Sequence, residues 1–395
     1  MKLQLDNIKR YLSEEGLTNK VNGRFNPTDI DISYGDLILA YLMYLTWCVN
    51  HSLEELDGGY PRNISRRFAM PCLKDLAATE AEHRLRTYIG EAQILADTFF
   101  STLKDGIPLE TFVQAVEIIR TKKHDYPFVT EKISEPLGVA GSLLGPDTKI
   151  DMLAMVVDVG AGTTDFSLYR IAVDPERKIN TAFEVQDTND CLTEAGNYLD
   201  QLLKNFIISK TGVKSDDPLW GNVIWDLDKN IRNYKETLFN ESEVIVYIRE
   251  LNTDVEIQLS EFLALPQVKT FGENLWNMMI NIMEGIDSEF PNWVVQNPAR
   301  RLVIVMTGGC ATLPKVKALA DGVINVNGVQ VPLAAAKPFP LWLEEDHPNL
   351  ENDYSRIAVA LGGARKKIIQ SNGVMSTTSS NANKPTLGTD FTTGR

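Results

Sequence analysis

The segment MLAMVVDVGAGTTDFSLYRI, Met152 to Ile171, joins two apolar runs through glycines, two threonines and an aspartate on either side. Runs of this length and composition read as adjacent buried β-strands. In the turn between them Gly160 and Gly162 lack a β-carbon, so backbone N–H groups can approach an anion closely, as phosphate-binding loops require. Thr163 and Thr164 add hydroxyl donors. Asp158 and Asp165 suit a hydrated Mg²⁺, which prefers a few carboxylates plus water and phosphate oxygens. A lone G-x-G is most often a plain hairpin turn; strand, D-x-G-x-G-T-T-D, strand is far more specific. It differs from G-x-x-x-x-G-K-[ST], and it joins strand to strand where a dinucleotide fingerprint joins strand to helix.

At 395 residues with 44% hydrophobic content, the chain is long for one core and suits two lobes. The formal net charge of -14, from 39 Lys+Arg against 53 Asp+Glu, opposes attraction to nucleic acid or to anionic membrane. Cys48, Cys72, Cys191 and Cys310 are scattered, as are the four histidines, and form no zinc-type ligand pairs. The start MKLQLDNIKRYLSEEG lacks the apolar core of a signal peptide, and the apolar segment Leu37 to Val49 is too short for a bilayer. A cytoplasmic protein with reduced thiols is expected. The sequons at Asn63 and Asn240 are then chance matches.

The organisation expected is uneven. Residues 1–148 read as mainly helical, with a buried helix from Tyr34 to Ser52, amphipathic helices from Ala77 to Leu103, and a strand at RRFAMP, Arg66 to Pro71. Residues 149–370 read as α/β. Their strands are DMLAMVVDV, TDFSLYRIAV, RLVIVMTGG and the hairpin ESEVIVYI with DVEIQL; their helices run from Tyr198 to Ser209, Lys229 to Leu238 and Glu261 to Ile286. The tail, 371–395, is rich in Ser, Thr, Asn and Gly and reads as disordered.

DVGAGTTD resembles the second phosphate motif of the actin-like ATPase superfamily, which comprises actins, seventy-kilodalton heat-shock chaperones and sugar kinases. Further segments follow in the family's order. SEPLGVAGSLLG, Ser134 to Gly145, resembles the chaperones' first connecting helix, and NYKETLFNESEVIVYI the segment that grips adenine. VIVMTGGCATLPKVKAL, Val303 to Leu319, resembles their adenosine motif. RIAVALGGARK, Arg356 to Lys366, resembles their second connecting helix. Singly each has an ordinary reading: Glu135-Pro136 as a helix start, Gly308-Gly309 as a strand end, Lys235 as a solvated charge, paired small residues as close helix packing. The resemblance covers about 134–366 well and the first 130 residues loosely.

The resemblance implies a two-lobed α/β fold of the actin-like, ribonuclease-H-like class with a truncated, mainly helical first lobe. It implies ATP/ADP and Mg²⁺ as ligands, with Asp158 and Asp165 holding water around the metal, Thr163 at the γ-phosphate and Glu135 ordering the attacking water or the ion. Gly160, Gly162 and Thr164 would wrap the phosphates, and Gly308, Gly309 and Lys235 would line the adenosine. A protein partner or client is expected, with no nucleic acid and no membrane. The sequence also departs from the family. No first phosphate loop of the G-x-x-x-G-T kind is found in residues 1–30, where the glycines are Gly16 and Gly23. Ala161, Glu236, Phe239, Cys310 and Thr312 stand where the chaperones carry other residues, and no substrate-binding β-domain is recognised. Loss of one preorganised charge-stabilising group typically costs about 10²- to 10³-fold in rate. The expectation is therefore a chaperone-like, ATP-binding switch with weak or absent hydrolysis; the alternatives are a non-hydrolysing scaffold subunit and a filament-forming partition protein.

Overall fold

The computed structural model describes residues 16–56, 59–62, 64–70, 75–122, 124–144, 149–174, 176–177, 179–337 and 339–365. The tail at 371–395 lies outside the described residues, as do Asn63, Cys72, Gly145 and Lys366. The chain forms two compact units, Met1–Ile133 and Ser134–Arg395.

The first unit contains α1 (Tyr34–Glu55), β1 (Arg66–Met70), α2 (Asp75–Thr98), α3 (Leu109–Arg120) and β2, whose span Val129–Ser134 ends at the boundary. Helix α1 starts at a capping box: the Ser33 hydroxyl accepts from the Asp36 N–H, and the Asp36 carboxylate accepts from the Ser33 N–H. Its Leu39 and Met43 join Leu95 and Ala96 of α2 with Phe112 and Val116 of α3 in one core. The buried helix expected from Tyr34 to Ser52 is α1, and its burial is one-sided. Tyr41, Tyr44, Leu45 and Val49 are exposed, because this core gathers on a single face of α1. Strands β1 and β2 form a two-stranded sheet, and Phe68, Met70 and Val129 pack with Ala81 in a smaller cluster.

The second unit begins with α4 (Glu135–Ser142) and continues with β3 (Ile150–Val159), β4 (Thr164–Asp174), β5 (Ile179–Glu184), β6 (Asp190–Leu192), α5 (Gly196–Thr211) and α6 (Trp220–Glu241). There follow β7 (Glu243–Ile248), β8 (Thr253–Gln258), α7 (Leu259–Ala264), α8 (Pro266–Gly285), α9 (Glu289–Val295) and β9 (Leu302–Thr307). The last elements are α10 (Pro314–Lys317), β10 (Val323–Val326), β11 (Val329–Ala335), α11 (Leu341–Asp346) and α12 (Tyr354–Gly363). The architecture is mixed α/β. A seven-stranded sheet runs β10-β11-β9-β3-β4-β5, with β6 also paired to β4. The β3 pairing is antiparallel to β4 and parallel to β9, β9 is parallel to β11, and the remaining pairs are antiparallel. The expected helix Glu261 to Ile286 is two helices. Pro266 disfavours helical geometry at the residue before it, and Leu265 is extended with ψ 135.

Residues Leu153, Met155, Val157 and Val159 of β3 belong to the main core with Leu199 of α5, Phe271, Leu275 and Met279 of α8, and Trp293 of α9. Helix α4, outside that cluster, contacts β3 and β4, and α12 contacts β9. A strand covered on both faces must be apolar nearly throughout, and this is why β3 reads as a continuous run. A second core assembles Leu203 and Ile207 of α5, Val223, Leu227 and Leu238 of α6, Val246 and Ile257 of the β7–β8 hairpin, and Phe262 of α7.

Helices α4 and α12 meet through glycines. A β-carbon on Gly362 would lie 1.7 Å from the Gly138 carbonyl oxygen and 2.6 Å from the Ser142 nitrogen, and one on Gly138 would lie 2.6 Å from the Val359 carbonyl. The obstructing atoms are backbone, so they cannot turn aside. Beside this crossing the Ser142 and Tyr354 hydroxyls share a buried 2.6 Å hydrogen bond, and Trp342 Nε1 donates to the Ser142 carbonyl.

Two outcomes follow. Gly362→Ala is expected to destabilise the second unit by more than about 3 kcal/mol, the scale of overpacked or strained core sites, read as a lower denaturant midpoint. Burial pushes the Tyr354 phenol up to about 12, against a partial opposing effect of its bond to Ser142. The group stays neutral in the folded chain while an unfolded tyrosine ionises near pH 10, so its stabilisation is intact below pH 10 and is lost as pH rises towards 12. The loss amounts to about 2–3 kcal/mol. Denaturation curves across pH 9–12 should show that fall in the wild type, with the Tyr354→Phe curve flatter by that amount.

Candidate functional site

Strands β3 and β4 place the two aspartates. Asp158 and Asp165 are directly opposed across the antiparallel ladder, and Thr307 of β9 is opposite Asp158 on its other side. Directly opposed residues share a sheet face about 5 Å apart, so the two carboxylates form a row with a hydroxyl. Both aspartates are buried, at 6% and 1% exposure. The Thr163 hydroxyl donates to Asp165 Oδ2 at 2.8 Å, and the Thr164 hydroxyl donates to the Glu194 carbonyl at 2.7 Å. Two carboxylates so placed offer neighbouring oxygens to a cation. The described residues contain no group of three His, Cys, Asp or Glu that could hold a metal. Two adjacent carboxylates suit an ion held largely through water and ligand oxygens, the usual manner of Mg²⁺.

The turn itself is closed by the Gly160 N–H donating to the Thr163 carbonyl at 3.0 Å. Neither Gly160 nor Gly162 has a positive φ. Closeness is the constraint at Gly160, where a β-carbon would lie 3.2 Å from the Thr163 carbonyl. From outside, the first turn of α5 holds the loop: Gly196 N–H donates to the Gly160 carbonyl at 3.0 Å, and Asn197 N–H donates to the Ala161 carbonyl at 2.7 Å. Amides at a helix N-terminus have no intrahelical acceptor, so these donors are available to the loop. With its carbonyls so engaged, the loop keeps the N–H groups of Ala161, Gly162 and Thr163 outside any hydrogen bond among the described residues. Consecutive unclaimed amides in a tight turn make an anion-binding concavity. Ala161 and Gly162 are exposed and Thr163 is half-buried.

The glycine pair after β9 adjoins this loop. Gly308 has φ +85, and a β-carbon there would lie 2.4 Å from Asp158 Oδ1 and 2.5 Å from the Val159 carbonyl. Its N–H donates to the Ser355 carbonyl, as does the Thr307 hydroxyl, which fastens the strand end to the start of α12. Cys310 N–H donates to the Val159 carbonyl at 3.1 Å. A β-carbon on Gly309 would meet nothing within 4 Å, so that backbone faces open space. Burial pushes the Cys310 thiol up, with the Lys235 charge opposing, which keeps it a protonated apolar neighbour.

The structure thus gathers Asp158, Gly160, Gly162, Thr163, Thr164, Asp165, Gly308 and Gly309 at the carboxyl ends of the parallel strands β3 and β9. Lys235 is attached one step further back. It is buried, donates to the Gly196 carbonyl at 3.0 Å and lies 2.7 Å from Asp200 Oδ1. Glu135 opens α4, where Ser134 caps the helix by accepting from the Leu137 N–H; it belongs to the helix laid on β3 and β4 and not to the loop. Sequence reasoning passed over Gly196, Asn197, Asp200 and Ser355. Gly196 alone carried a signal, a small residue at the start of an apolar-periodic segment. No protein-family model matches this chain, and no curated protein matches it.

Gly308→Ala and Gly309→Ala make a paired test of the turn after β9. The first should lower stability by about 2–4 kcal/mol, through a strained φ and a clash with backbone and carboxylate. The second should change it by less than about 0.5 kcal/mol. Chemical denaturation of the two variants reads the difference.

Proposed function

We propose that the second unit binds the phosphates of a magnesium–purine nucleotide, ATP or ADP, at the Gly160–Thr163 loop, and that the chain is a switch of the actin-like ATPase class resembling the heat-shock chaperones. The observation that carries this reading is the run of three N–H groups at Ala161, Gly162 and Thr163 that no hydrogen bond among the described residues claims, flanked by Asp158 and Asp165. Its position supports it too. In open α/β sheets, ligands bind outside the carboxyl ends of strands where the chain order reverses; β3 continues to β4 on one side and has β9 on the other. Gly308-Gly309 gives a bare-backbone wall for a ribose or purine beside the same loop.

On this reading Thr163 contacts the terminal phosphate, Gly160, Gly162 and Thr164 wrap the chain of phosphates, and the bound Mg²⁺ supplies charge neutralisation while Asp158 and Asp165 orient its water shell. Phosphoryl transfer to water depends on positioning and on charge stabilisation from several sides, and one loop supplies only part of that. Weak or absent hydrolysis follows, and the nucleotide acts through conformation on a protein partner in a two-lobed, cytoplasmic protein. Among the described residues no helix is long and apolar enough to cross a membrane.

Calorimetric titration of Mg-ATP tests the proposal. Saturable binding is expected, with phosphate release near background, and Asp158→Asn should weaken binding about tenfold or more with Mg²⁺ present and much less in chelator. Absence of saturable binding up to millimolar Mg-ATP by folded protein would refute the reading.

A further inference from the structure

Lys235 belongs to the core of α6 and the β7–β8 hairpin by its place on α6, yet its ammonium reaches across to the first turn of α5. It bridges one helical turn there, donating to the Gly196 carbonyl at 3.0 Å and pairing with Asp200 at 2.7 Å. The side chains of Lys235 and Asp200 are 9% and 13% exposed. Asp200 Oδ1 makes no aligned hydrogen bond, so the second contact is a charge pair and the directed bond is the one to Gly196. That same Gly196, with Asn197, donates its N–H to the loop carbonyls of Gly160 and Ala161. Gly196 is also closely confined: a β-carbon on it would lie 3.0 Å from Cys310 Sγ and 3.1 Å from the Gly160 carbonyl.

Resting on the nucleotide reading above, we infer that Lys235 is a positioning residue for the anion loop, acting through Gly196 on the Gly160–Thr163 amides instead of touching the ribose or base. The ammonium fixes the α5 first turn, and that turn holds the loop carbonyls on the side away from the ligand. Removing one member of a buried charge pair leaves the other uncompensated, so the turn would loosen at the point where the loop is fastened. The ligand group that senses this is the phosphate chain, with or without a nucleoside attached.

The test compares Mg-tripolyphosphate, Mg-ATP and adenosine on the full chain by calorimetry, with Lys235→Met, Lys235→Arg and Asp200→Asn. Expected for Lys235→Met is a loss of tenfold or more for both Mg-tripolyphosphate and Mg-ATP with adenosine unchanged. Lys235→Arg should recover most of the loss, and Asp200→Asn should show a smaller loss of the same kind. Loss of adenosine and Mg-ATP affinity with Mg-tripolyphosphate retained would overturn the inference, because the lysine would then contact the nucleoside. Hydrogen exchange gives a second readout, independent of any ligand: the Gly196 and Asn197 amides should exchange at least tenfold faster in Lys235→Met while α8 stays protected. Unchanged exchange there would also overturn it. A wild-type chain that binds neither phosphate ligand defeats the nucleotide reading alone, and the exchange result, read in Asp200→Asn if Lys235→Met does not fold, then decides the role of Lys235.

Discussion

The end of β3 imposes the governing constraint. The strand is buried from Leu153 to Val159, and at its penultimate residue it carries a carboxylate that is itself 6% exposed. Burying a charge is costly unless hydrogen bonds, ion pairs or a metal compensate it, so the surroundings of Asp158 must be polar and ordered. Around it Thr307 and Gly308 are fastened to Ser355, Cys310 to Val159, and Thr163 to Asp165. These bonds hold the ends of β3 and β9, the Gly160–Thr163 turn and the start of α12 in one arrangement.

Close approach then explains the glycines better than conformational freedom does. Gly138, Gly141 and Gly362 let two helices touch backbone to backbone, Gly196 lets a helix start against the loop, and Gly308 lets the β9 turn lie on Asp158. Only Gly308 among these needs a positive φ. Backbone contacts of this kind are stiff because no side chain can rotate to absorb a displacement. A ligand that shifts the loop would therefore move α5 and the β9 turn with it.

The sequence disclosed most where burial is uniform and least where partners are distant. Strands β3, β4 and β9 were legible because coverage on both faces makes them continuous apolar runs, and the α4 start was legible in Ser134-Glu135-Pro136. The hairpin of β10 and β11 was overlooked although Asn327-Gly328, with φ of 50 and 87, is the strongest short hairpin signal. The short strands β5 and β6 gave no comparable pattern. One long helix was expected where Leu265-Pro266 makes two, a boundary the proline marks. The loop and the glycine pair stand out locally in the sequence, and the structure brings Gly308 against Asp158 and Val159, whereas the hold of Gly196 and Asp200 on Lys235 could not be read. That contact spans 39 residues between Gly196 and Lys235, and nothing local to either residue announces it.

That distant contact falls between the two cores of the second unit. Leu199 of α5 belongs to the core around the sheet, and Leu203, Ile207 and Ile208 of the same helix belong to the core around α6 and the hairpin. Phe271 and Leu275 of α8 lie in the first core and Val268 in the second. Any displacement of one core against the other must therefore bend or turn α5 and the start of α8. The first turn of α5 carries the amides that hold the loop, and Lys235 reaches that turn from the second core. On the nucleotide reading, a phosphate chain on the loop would shift an equilibrium between dispositions of the two cores only by its difference in affinity for them. By linkage, a partner that prefers one disposition would alter affinity for the ligand by the same factor.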